Sequence, residues 1–167
     1  MIKEMHRNIV KKFIKDSQVY FRFEQDFVEE NIRCIPMIVR FKLDACGIKL
    51  QLKEWCKFSI DERNELGERE CNNSLDLQLY RNYLQKLVYT CTGKEATNLL
   101  IDINPEWAIL NTIPLAIEQE LLRYNSTISL HQWKSLGDLK RFVLMKLSKP
   151  GHENRNFPVA LKEFGLV

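Results

Sequence analysis

Residues 35–47 read IPMIVRFKLDACG, and residues 113–125 read IPLAIEQELLRYN. The two stretches lie 78 positions apart, and at the same offset Leu52 falls on Leu130, Trp55 on Trp133, Arg63 on Arg141 and Leu66 on Leu144. Gly47 falls on Asn125, and these are the residue types that most readily accept the left-handed conformation closing a helix. Each copy reads as Ile-Pro opening a helix, a left-handed stop, a short extended stretch, a helical turn carrying Trp, and a further helix. Pro36 and Pro114 suit a first turn, where the missing N–H costs nothing. Ser59 with Glu62, and Ser129 with Gln132, have the spacing of capping boxes. The expected fold is mainly α: a single compact helical domain built from two pseudo-repeats, 35–66 and 113–144, with pseudo-two-fold character.

Between the copies, Leu77, Tyr80, Leu84, Leu87, Val88 and Cys91 recur at helical spacing. This pattern predicts an amphipathic helix from an N-cap at Ser74 to a stop at Gly93. Val19, Phe21 and Phe23 alternate with Tyr20, Arg22 and Glu24, which predicts a short extended segment over 19–24.

The chain of 167 residues is 45% hydrophobic and 28% charged, the composition of an ordinary globular domain rather than of a disordered or disulfide-stapled chain. No apolar run approaches the ~20 residues that span a bilayer. The opening MIKEMHRNIVKKFIKD lacks the uninterrupted apolar stretch of a signal peptide, so a cytoplasmic protein is expected. Five cysteines, Cys34, Cys46, Cys56, Cys71 and Cys91, are dispersed with no C-x-x-C spacing, which argues against metal ligation and for reduced thiols. No cofactor is expected.

Residues 1–15 hold Lys3, Arg7, Lys11, Lys12 and Lys15 against Glu4. The rest of the chain carries 20 basic and 21 acidic residues, so its body has no basic excess to drive phosphate binding, and nucleic acid is not an expected partner. Ile2, Met5, Ile9 and Phe13 fall near helical spacing among these charges. Contact of residues 1–15 with a membrane surface is one reading, and a simple terminal extension over 1–18 is the favoured one.

Two places could hold chemistry. Lys42 lies inside the apolar arc of the first repeat helix, and Glu120 occupies its position in the second copy. The favoured reading is a structural ion pair of Lys42 with Glu120 at the repeat axis; a lysine base or nucleophile is the alternative. The tail SKPGHENRNFP places His152, Glu153, Asn154, Arg155 and Asn156 in succession after a Pro-Gly turn. These side chains can bind a partner or an anion, or can cap the helix that follows from Phe157. His152-Glu153 lacks the second histidine of a zinc-protease helix, because Asn156 stands in its place.

The strings Phe21-x-Phe23-Glu24-x-Asp26-Phe27, Arg33-Cys34-Ile35-Pro36-Met37, Lys42-Leu43-Asp44-x-Cys46-Gly47-Ile48-Lys49-Leu50 with Trp55, and Lys146-Leu147-Ser148-x-Pro150-Gly151-His152-Glu153-Asn154-x-Asn156-Phe157 resemble the nitrate reductase-associated protein family of cyanobacteria and some photosynthetic eukaryotes. The resemblance covers about residues 20 to 166, within a domain set at 19–167. It implies a non-catalytic accessory or maturation factor whose partner is assimilatory nitrate reductase, in the cytoplasm or, in a photosynthetic eukaryote, the plastid stroma. It supplies no catalytic residues. The alternative is a small enzyme or molybdenum-cofactor carrier that uses Lys42 or the His152–Asn156 cluster.

Overall fold

The computed structural model describes residues 20–167. The fold is mainly helical, with one two-stranded sheet among the described residues, and it divides into two compact units at Asp102 and Ile103. Residues 35–66 fall in the first unit and residues 113–144 in the second.

The first unit contains α1 (Gln25–Glu29), α2 (Met37–Cys46), β1 (Ile48–Lys49), α3 (Leu52–Trp55), α4 (Ile60–Glu68), α5 (Ser74–Thr92) and β2 (Thr97–Asn98). β2 pairs antiparallel with β1, placing Ile48 opposite Asn98. The long helix α5 packs Tyr80, Leu84 and Val88 into a core shared with Val39 and Leu43 of α2, and with Trp55 and Leu66. That arc is the 3.6-residue stripe legible in the sequence. Arg81, on the flank of α5, donates to the carbonyls of Cys46 (2.5 Å) and Gly47 (3.0 Å) and to Asn98 Oδ1 (2.6 Å), tying the end of α2 to β2.

The second unit contains α6 (Leu115–Arg123), α7 (Leu130–Ser135), α8 (Asp138–Leu147) and α9 (Phe157–Glu163). At the offset of 78, Met37 and Leu115 start helices, Leu52 and Leu130 start helices, and Ile60 and Asp138 start helices. Gly47 and Asn125 both have positive φ, +69° and +49°. Both capping boxes form, with Glu62 N–H on Ser59 Oγ at 3.2 Å and Gln132 N–H on Ser129 Oγ at 3.1 Å.

The same correspondence reaches the side chains. Trp55 Nε1 donates to Ile32 O at 2.8 Å, and Trp133 Nε1 donates to Ile109 O at 2.9 Å. Both indoles are fully buried. The Arg63 guanidinium lies 5.9 Å from the Trp55 ring and that of Arg141 lies 6.0 Å from the Trp133 ring. Each arginine also ties down backbone: Arg63 donates to the carbonyls of Asn31, Trp55 and Cys56, and Arg141 to those of Trp107 and Leu136.

Three local expectations are corrected. Arg22–Glu24 is a 3-10 turn rather than an extended segment, and the rings of Phe21 and Phe23 stack at 5.4 Å. The cause is Glu24, buried at 2% exposure, whose carboxylate accepts from Phe21 N–H (3.1 Å) and from Met37 N–H (2.7 Å). It thereby satisfies an orphan donor at the start of α2 and pulls the chain into a turn. The N-cap of α5 is Asn73, not Ser74, with Oδ1 accepting from Asp76 N–H at 2.9 Å. Pro36 and Pro114 sit at the N-caps, one residue before the first turn.

The matched indole bonds generate a prediction. Trp55→Phe and Trp133→Phe each keep the aromatic burial but leave a carbonyl without its donor, so each should cost about 1–3 kcal/mol. Urea denaturation of the two variants should give losses of similar size, and a large loss for only one would mean that the two tryptophans do different work.

Candidate functional site

Lys42 points inward from α2 and is only 7% exposed. Its Nζ donates to Gly67 O and to Arg69 O, both at 2.6 Å. These carbonyls close α4, a helix with no basic residue in its own last turn. The lysine is therefore a C-terminal cap delivered from a neighbouring helix, placing positive charge where the helix dipole favours it. Burial lowers the Lys42 pKa, opposed by Cys71 and Glu68. The Tyr80 ring lies 5.7 Å from the ammonium.

Glu120 stands at the matching position of α6 and is 3% exposed. Its Oε2 meets Arg123 at 3.3 Å, and its Oε1 is buried with no hydrogen-bond partner among the described residues. The contacts described here for Lys42 and for Glu120 thus lie inside their own units.

The tail explains why the second unit does not need a lysine at this place. The positions matching Gly67 and Arg69 are Met145 and Leu147. Met145 O accepts from Ser148 Oγ at 2.9 Å, and Leu147 O accepts from Asn154 Nδ2 at 2.9 Å. Asn154 reaches back because Gly151, at φ +153°, turns the chain into a 3-10 segment over His152–Asn156. Its Oδ1 meets the Tyr124 hydroxyl at 3.5 Å, and the Tyr124 ring lies over Phe157 at 6.1 Å.

The cluster therefore closes the helix before it. It does not cap the helix after it, since Asn156 makes no side-chain cap bond to α9. Glu153 and Asn156 are half-buried, whereas Arg155 is exposed. Sequence reasoning grouped the five residues together but missed the separate role of Asn154. The available signal was the loss of lysine at position 120 together with a new hydrogen-bonding tail after α8.

Among the described residues, no three His, Cys, Asp or Glu side chains come together as a metal-binding set, and no helix is long and apolar enough to cross a membrane. The five cysteines are free. Large apolar side chains, by contrast, stand in solvent. Leu100 is 95% exposed in the first unit, and Ile103, Leu115 and Leu122 are 85%, 66% and 71% exposed in the second. Leu115 and Leu122 are two turns apart on α6, opposite the buried Ile117 and Leu121.

A family model described as conserved nitrate reductase-associated protein matches residues 20–164. The chain belongs to this family. No curated protein and no solved structure matches it. Three of the four strings that carry the family resemblance fall on structural joints: Glu24 on the start of α2, Lys42 on the end of α4, and Ser148 with Asn154 on the end of α8.

The capping role of Lys42 is testable. Lys42→Met removes the donor of two carbonyls and should cost about 1–3 kcal/mol. A melting temperature equal to that of the unaltered protein would show that water or another donor replaces the ammonium at no cost.

Proposed function

We propose that this protein is a non-catalytic accessory or maturation factor of assimilatory nitrate reductase and that it acts by binding the reductase. The family match carries this reading. The exposed Leu100, Ile103, Leu115 and Leu122 support it, because scattered apolar surface is ordinary but side chains this exposed gain stability when a partner covers them. The roles of these polar groups point the same way. Lys42, Arg63 and Asn154 donate to backbone carbonyls, and Arg141 donates to backbone carbonyls and to Asp138.

The tail segment His152–Asn156 is the proposed partner contact, divided by task. Asn154 holds the segment in place. His152, Glu153, Arg155 and Asn156 offer the polar groups through which the reductase is recognised, with exposed Arg155 leading. Arginine suits this work because its planar fork makes paired hydrogen bonds to a carboxylate.

Capture of nitrate reductase on immobilised protein tests this. His152→Ala with Arg155→Ala should weaken retention of the reductase while leaving the melting temperature almost unchanged. Asn154→Ala should lower the melting temperature, because it strands Leu147 O. Retention unchanged in the double variant would remove the tail from the interface. Failure of the unaltered protein to retain either apo- or holo-reductase would remove direct binding altogether.

A further inference from the structure

Cys34 stands in the bend that leads into α2, and Cys56 closes α3. The Cys56 Sγ meets Arg33 O at 4.0 Å. Planar trans peptide geometry holds the Cys34 Cα about 2.8 Å from that same oxygen, so the Cys56 sulfur lies no more than ~7 Å from it. Disulfide-bonded residues hold their Cα atoms about 4.4–6.8 Å apart. A bend and a helix end are both placed to adjust to that span.

The joint between these two residues is already tightly tied. Trp55 Nε1 donates to Ile32 O at 2.8 Å, and one guanidinium, that of Arg63, donates both to Asn31 O at 2.8 Å and to Cys56 O at 2.9 Å. The turn that these bonds hold is strained, with Asn31 and Ile32 at φ +66° and +52°. A covalent bond beside it would keep the turn in place when the hydrogen bonds open.

Exposure decides which thiols can react. Cys56 is exposed and Cys34 is half-buried. Burial pushes the Cys46 thiol up to about 11 and raises that of Cys71 as well, so both hold little of the thiolate that exchanges with disulfides. Cys91 Sγ is turned onto Val88 O of its own helix at 3.4 Å.

We propose that Cys34 and Cys56 form a reversible disulfide, with a low-molecular-weight disulfide as the oxidant, and that this bond locks the 31–34 turn onto the end of α3. The exposed Cys56 thiolate attacks the oxidant R–S–S–R, forming Cys56–S–S–R and releasing one R–S⁻. The Cys34 thiolate then attacks the Cys56 sulfur and expels the second R–S⁻. The two protons that leave the cysteines are taken up by the two R–S⁻ groups, so the pair loses two electrons and the oxidant becomes two thiols. An excess of small thiol runs the exchange backwards, which makes the turn responsive to the thiol–disulfide balance around it.

Incubation of the full-length protein with oxidised glutathione, alkylation of the remaining thiols and peptide mapping without reductant tests this. A peptide joining Cys34 to Cys56 should appear, about 2 Da lighter than the two separate peptides together. Two of the five thiols should escape alkylation, and dithiothreitol should restore them. The oxidised protein should melt at a higher temperature than the reduced one. Cys34→Ser should leave glutathione lodged on Cys56, whereas Cys56→Ser should take up glutathione more slowly. Glutathione adducts on both cysteines of the unaltered protein with no joined peptide would overturn the proposal, as would the joining of Cys56 to a different cysteine. So would a joined peptide that forms only in urea, or one that links isotopically light and heavy chains. A melting temperature that oxidation does not raise would overturn the locking role.

Discussion

The bond from a buried indole N–H to a main-chain carbonyl is the constraint on which each unit depends. A tryptophan can be buried completely only if its single donor finds an acceptor, because an unpaired N–H in an apolar interior costs several times what a made bond contributes. In the first unit the acceptor is Ile32 O, two residues before the helix-opening Cys34-Ile35-Pro36 run. The price is local strain: Asn31 and Ile32 both have positive φ, +66° and +52°, an unfavourable conformation for a β-branched residue. Ile32 is held there because its side chain is fully buried and the carbonyls of both residues are taken, by Arg63 and Trp55. In the second unit the acceptor, Ile109, has an ordinary extended backbone, so the same bond is made without the strain.

Helix ends supply the second constraint. Short helices leave a large share of their carbonyls unpaired, and helices of nine or ten residues such as α4 and α8 must satisfy them from outside. The first unit uses cations from neighbouring helices, Lys42 on α4 and Arg81 on α2. The second uses Ser148 and Asn154 from the chain that follows. This difference accounts for the tail: a segment that looks like a ligand-binding loop in sequence owes part of its composition to closing a helix.

Much of this architecture was legible before any coordinates, and the reason is physical. Proline, glycine, asparagine and the capping boxes act within a few residues, so Pro36, Gly47, Ser59 and Ser129 mark their elements wherever the chain later packs. The long helix α5 was legible because its stripe from Leu77 through Tyr80, Leu84 and Val88 to Cys91 repeats over about four turns. What sequence did not reveal depends on contacts distant along the chain. Glu24 reads as an ordinary polar residue until Met37 N–H arrives 13 positions later, and it turns an apparent strand into a 3-10 turn. Lys42 reads as an anomaly in an apolar arc because its acceptors lie 25 and 27 residues away. The expectation of a basic amphipathic stretch over residues 1–15 lies outside the described residues.

The candidate site was legible by composition and not by role, and that distinction bears on function. A row of polar side chains is a binding surface only to the extent that its members are not already used by the fold. Asn154 is used twice, through Nδ2 to Leu147 O and through Oδ1 to Tyr124, and Ser148 is used by Met145 O. Arg155 stands exposed on the same turn. A substitution at Arg155 therefore leaves the bonds of Asn154 and Ser148 to the end of α8 in place. The exposed leucines of α6 obey the same division: Ile117 and Leu121 build the core, while Leu115 and Leu122 contribute little to it and are free to be covered.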